Sequence, residues 1–167
     1  MLPFLVLASA LLLSLFISRL ITGKWKFTLS GNVAMSCLLV FAVVGHFMYP
    51  VGMAMMLPAF IPFKVAIIYV TGFIELAAAI GLLLPAWRYI TSILLILFLI
   101  FILPANVYAA IHEVDLTTAT HSGPGLPYLW FRIPLQLFFI IWVWYFGIHR
   151  PAKLRRESRT QLAVSSH

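Results

Sequence analysis

Hydrophobic positions fall into five long blocks along the chain. They run from Leu2 to Leu20, Leu29 to Phe47, Val65 to Leu84, Tyr89 to Ile111 and Leu126 to Ile148. About 20 helical residues cross the hydrocarbon core of a bilayer. Each block reaches that length, and backbone in lipid must satisfy its own hydrogen bonds. The pattern therefore predicts an all-α integral membrane bundle of five transmembrane helices. The first block also resembles a signal peptide in position. No Lys or Arg precedes it, and its apolar run is longer than a typical signal h-region, so a retained helix is expected.

The connections between blocks differ in character. Residues 48–63 are apolar but carry Pro50, Pro58, Pro62 and Gly52 is set among them. This reads as a re-entrant or surface-parallel segment in the interface, its methionines packing there. Residues 112–125 form the one polar loop. Residues 149–167 are basic and hydroxyl-rich, without a sustained apolar face, and are expected to be a disordered tail near anionic headgroups.

Composition supports one membrane domain, residues 1–148, with no soluble domain. Of 167 residues, 63% are hydrophobic and 9% charged, against about 25% charged in a soluble domain. Mean hydropathy is +1.08. The net charge of +7 lies largely beside the blocks, where basic residues set topology, so it is not read as a nucleic-acid surface. Arg19, Lys24, Lys26, Arg88, Arg150, Lys153, Arg155, Arg156 and Arg159 fall on one side, and Lys64 and Arg132 on the other. The positive-inside rule then places the N-terminus outside and the C-terminus in the cytoplasm. The one cysteine, Cys37, can form neither an internal disulfide nor a CxxC pair.

Polar groups inside the blocks carry the functional signal. Glu75 is the only formal charge in the third block, and a carboxylate at membrane depth needs a partner or a task. At 1.5 Å per residue it lies roughly 15 to 17 Å from the Lys64 end. His46, Asn106, Arg132 and Gln136 all fall toward the outer ends of their blocks, and the inner half is expected to hold almost no polar groups. This suggests an outward-opening polar pocket floored by Glu75. Gln136 is the better-placed direct partner, and Arg132 reaches Glu75 only by pointing inward. Contact with Arg132 implies a structural bridge, whereas an Arg132 turned to the surface leaves Glu75 free to bind a ligand or handle protons. Gly72, Ala77, Ala78, Ala79 and Gly81 allow close helix approach. Pro104 frees a carbonyl near position 100, beside Asn106. Trp130, Trp142, Trp144 and Tyr145 read as interface anchors.

His112, Glu113, Asp115 and His121 sit in the polar loop, and their spacing matches no compact zinc pattern. No metal site is assigned. Nucleotide-binding loops, zinc-protease motifs and serine-nucleophile motifs are absent from the sequence.

Several short motifs occur in order: Gly45-His46-Phe47, Met56-Leu57-Pro58, Thr71-Gly72-Phe73-Ile74-Glu75-Leu76, Gly81-Leu82-Leu83-Leu84-Pro85, Leu103-Pro104-Ala105-Asn106-Val107-Tyr108, and Arg132-Ile133-Pro134-Leu135-Gln136. Together, over about residues 30 to 148, they look like the DoxX family of small bacterial membrane proteins. The resemblance implies a four-helix transmembrane core, with the first block as an extra helix. DoxX relatives include a membrane subunit of a thiosulfate:quinone oxidoreductase, a protein needed to mature methylamine dehydrogenase, and members of an oxidative-stress complex. His46, Glu75, Asn106, Arg132 and Gln136 match recurring polar positions of that pattern, with no settled catalytic role to carry over. The single cysteine departs from what dithiol redox partners need.

The combined expectation is a DoxX-like protein of the bacterial inner membrane that binds a small lipophilic molecule, such as a quinone, through these five residues. It would serve a redox or stress-related protein complex, alone or as a homo-oligomer, as an accessory or binding subunit rather than a stand-alone enzyme. The alternatives are a non-enzymatic assembly factor and a small proton-coupled transporter.

Overall fold

The computed structural model describes residues 2–165, so the final two residues of the expected tail lie outside the described residues. Long helices α1 (Leu2–Thr22), α2 (Phe27–Met48), α4 (Lys64–Leu83), α5 (Arg88–Ile111) and α6 (Pro127–Val143) correspond to the five blocks. A short helix, α3 (Pro50–Met55), follows α2, and a π-helical segment (Trp144–His149) joins α6 to α7 (Arg150–Ser165). No β-strand occurs among the described residues, which hold only an isolated bridge between Asp115 and Thr120. Five helical spans are long and apolar enough to cross a membrane. The chain is a multi-pass membrane protein.

α2 is the central helix. It packs along α4 over its length, carries α1 on another face, and meets the end of the α6 unit. α5 closes the bundle against α4 and α6. Leu7 of α1, Met35, Leu38 and Leu39 of α2, Leu82 of α4, Leu95 of α5, and Phe139 and Val143 near the end of α6 share one core. Most other large apolar side chains are exposed, as expected where lipid rather than water surrounds the bundle.

Without a hydrophobic drive between helices in lipid, register depends on small residues and polar bonds. Ser36 Oγ donates to the Ala79 carbonyl at 2.7 Å, fixing the antiparallel level of α2 against α4. Asn32 Nδ2 donates to the Thr28 and Phe146 carbonyls at 2.7 and 3.0 Å. Trp142 Nε1 donates to the Gly31 carbonyl at 2.9 Å. Trp142 is thus an interhelical tie, whereas Trp130 is 87% exposed. Ser30, Asn32, Ser36 and Ser92 are all buried toward the tail end. The expectation of an almost apolar inner half is corrected: Ser36 and Asn32 bond to carbonyls of neighbouring segments, and the Ser92 hydroxyl donates to the Arg88 carbonyl of its own helix.

The tail also differs from expectation. Residues 150–165 are helical rather than disordered. An isolated helix of this length is marginal because nucleation is costly. Here α6 and the π segment supply the nucleus, and Leu, Arg, Lys, Glu and Gln then propagate it well. Pro151 has no N–H to donate and would clash with a carbonyl four residues back. The π register accommodates this, since the Arg150 N–H already bonds to the Tyr145 carbonyl, five residues back.

Candidate functional site

Glu75 projects from α4 into the α2–α4 interface and is buried, with its side chain 9% exposed. Its neighbour is His46, near the end of α2: His46 Nε2 lies 3.3 Å from Glu75 Oε2. Side chains lean toward the N-terminus of their helix. In this antiparallel pair His46 therefore reaches along the bundle toward Glu75, and Glu75 reaches back. Gly72 makes room, for a Cβ there would stand 3.1 Å from the His46 Cβ.

The other ring nitrogen is committed. His46 Nδ1 donates to the Ile68 carbonyl at 3.0 Å, since a carbonyl can only accept. Thr71 Oγ1 donates to the same carbonyl at 2.8 Å. Nε2 and Oε2 are then left facing each other. Despite that distance, Glu75 Oε2 has no hydrogen bond of proper geometry among the described residues. A buried polar atom left this way is costly. Phe47 packs against Tyr69 and Phe73 beside the pair, with centroids 5.5 and 5.7 Å apart.

The remaining three residues form a separate cluster between α5 and α6. Arg132 Nε donates to Asn106 Oδ1 at 3.2 Å. Asn106 Nδ2 donates to the Ile102 carbonyl at 3.1 Å and, more weakly, to Gln136 Oε1 at 3.4 Å. Gln136 Nε2 donates to the Leu99 carbonyl, in the turn that Pro104 disturbs by lacking an N–H. Neither Arg132 nor Gln136 bonds to Glu75. Hydrogen bonds and the His46–Glu75 contact thus group the five side chains as two sets. Gln136 is occupied by backbone and amide groups on its own side of the bundle, and Arg132 is held by Asn106. His46, expected above Glu75, is its direct partner.

Thr71 belongs to the site and was not singled out from the sequence. Its position four residues before Glu75, on the same helical face, was the available signal.

In the polar loop, His121 Nδ1 donates to the His112 carbonyl at 2.7 Å, and Asp115 Oδ1 accepts from the Thr117 amide at 2.8 Å and the Thr117 hydroxyl at 2.7 Å. These Thr117 bonds, the hydroxyl's first, hold the Asp115 carboxyl below the ordinary carboxylate range. Among the described residues, no three His, Cys, Asp or Glu side chains gather to hold a metal. The loop packs against α3, because Gly52 leaves no space between its backbone and the Leu116 carbonyl.

A groove of about 440 Å³ lies between Val51, Ala54 and Met55 of α3 and residues 63–66 at the start of α4. It includes none of the five polar residues.

A family model described as a domain of unknown function (DUF8561) matches residues 35–147, more than half of the chain. The chain belongs to the DUF8561 family. The DUF8561 range takes in His46, Glu75, Asn106, Arg132 and Gln136 but leaves out α1 and α7. No curated protein and no solved structure matches the chain. Likeness to DoxX rests on the motifs alone.

Proposed function

We propose that this protein is a DoxX-like subunit of the bacterial inner membrane that binds a small lipophilic molecule with a hydrogen-bonding head, of the quinone class, at His46 and Glu75. The observation that carries this reading is the buried Glu75 Oε2, which lacks a proper hydrogen bond while facing His46 Nε2 at 3.3 Å. Such a pair offers a head group both a donor and an acceptor, and Phe47, Tyr69 and Phe73 supply an aromatic wall. A quinone fits these residues by chemistry, since its carbonyls accept hydrogen bonds and its body is apolar. When bound it would supply electron-transfer capacity, which the chain's single cysteine cannot. His46 and Glu75 would orient the head and hold a proton beside it. In the α5–α6 cluster the amides of Asn106 and Gln136 bond to backbone carbonyls and to each other, which favours a structural role for these two.

The charge asymmetry supports an N-terminus outside and α7 in the cytoplasm. Trypsin added to right-side-out vesicles should then leave the tail intact, and cleavage there would reverse the orientation. Binding is tested by purifying the protein from native membranes, extracting it with organic solvent and scanning the extract for quinone absorbance before and after borohydride reduction. A stoichiometric redox-active lipid is expected. Extracts containing phospholipid alone would remove the quinone class.

A second reading, a membrane assembly factor, draws on α7. Arg150, Lys153, Arg155 and Arg156 ride on a helix continuous with the bundle, which suits docking to an acidic partner. A specific partner lost on pull-down when α7 is deleted, with ligand retained, would favour it.

A further inference from the structure

The geometry points to an anionic phospholipid bound between α3 and α4, with one acyl chain in the groove and its phosphate on Lys64. The groove belongs to the end of the bundle that carries α3, and α4 begins there. Its volume of about 440 Å³ falls within the range of small-molecule sites, about 300 to 1,000 Å³. Val51, Ala54, Met55, Phe63 and Val65 line it, and all are apolar. Beside a membrane span, an open groove with this apolar lining suits an acyl chain better than water.

Lys64 is the only charged residue on this lining, and it defines the occupant. Lys64 Nζ spends one of its three donors on the Leu57 carbonyl, at 2.7 Å. That bond holds the ammonium at the groove while leaving donors for a phosphate. Lys64 is also the first residue of α4, where no side chain caps the helix. A cation in the first turn is opposed by the helix dipole, so an anion beside it relieves two like-signed sources at once. Phe63, the residue before it, adopts a left-handed conformation with φ +52°, which non-glycine residues rarely take. The turn keeps Phe63 84% exposed beside the groove, where its ring can lie along an acyl chain.

This lipid site is separate from the His46–Glu75 site, and its test is kept distinct. The full chain is reconstituted in vesicles of equimolar phosphatidylglycerol and phosphatidylcholine, extracted in mild detergent, and examined by native mass spectrometry. Lys64→Ala should lower retained phosphatidylglycerol at least fivefold, Lys64→Arg should keep it, and Glu75→Gln should leave it unchanged. Val65→Trp, which fills the groove but keeps the cation, should lower retention as strongly as Lys64→Ala. All variants keep the basic tail, so lipid held there is a constant background. Equal retention of both lipids by the wild type, or unchanged retention in Val65→Trp, overturns the proposal. Displacement of the lipid by inorganic phosphate would also overturn it, by making Lys64 a plain anion site.

Discussion

His46 on α2 and Glu75 on α4 meet across the bundle at 3.3 Å, with His46 tied at its other nitrogen to the Ile68 carbonyl. The two side chains come from helices of opposite direction and lean toward each other. Neither Arg132 nor Gln136 takes part. Substitutions at 46 and 75 should therefore be coupled. In a double-mutant cycle of His46→Ala and Glu75→Gln, unfolding in mixed micelles should give an interaction energy of about 1 to 3 kcal/mol. The cycle of Arg132→Ala with Glu75→Gln should be additive within about 0.5 kcal/mol. Coupling in the second cycle and none in the first would restore the Arg132 bridge.

Gln136 joins α6 to α5 by donating to the Leu99 carbonyl and accepting from Asn106. Gln136→Leu keeps the size but strands both partners. Side-chain hydrogen bonds within membranes average about 0.6 kcal/mol, so the loss of two should cost about 1 to 2 kcal/mol. Mixed-micelle unfolding measures it. Ligand retention at His46–Glu75 should be unchanged in this variant.

Much of the fold was legible because block length speaks directly to bilayer thickness: four spans end within two residues of their blocks, while the fifth helical run continues to Glu157, past Ile148. The conspicuous polar residues were legible too, since each stands out in an apolar run. Their pairing was not. It depends on helix rotation and register, which are set by Ser36 against Ala79 and by the room at Gly72. Composition says nothing of those contacts. Asn32 sits beside Gly31 at the start of a block, where a polar residue resembles a boundary. The helical tail was hidden because its stability comes from continuity with α6, not from an apolar face of its own.

Gly52 is a close contact between α3 and the 112–125 loop. Any Cβ there collides with the Leu116 backbone carbonyl, which cannot swing aside as a side chain would. Gly52→Ala should destabilise this end by about 1 to 3 kcal/mol and speed proteolysis of the loop. Gly45→Ala is the control. Its Cβ would meet only the terminal methyl of Met53 at 3.3 Å, so loop cleavage should stay near the wild-type rate.

Asp115 organises the loop as an acceptor, and its Thr117 bonds lower its folded pKa. A depressed carboxylate pKa contributes stability that is present above the unfolded value and lost as pH falls through the folded one. Loop order should therefore persist through the ordinary carboxylate range and fail only at more acid pH. Hydrogen exchange at the Thr117 amide reads this directly. Asp115→Ala should abolish the pH dependence, whereas loss of protection already near neutral pH would implicate another group.

The proposed role of the His46–Glu75 pair is to hold the head of a lipophilic molecule. Native mass spectrometry of protein purified from native membranes tests it most directly, comparing wild type with Glu75→Gln while circular dichroism monitors the fold. A small lipophilic adduct is expected on the wild type, reduced at least tenfold in the variant, with helicity and phospholipid adducts unchanged. Equal retention of that adduct by both proteins would contradict the account.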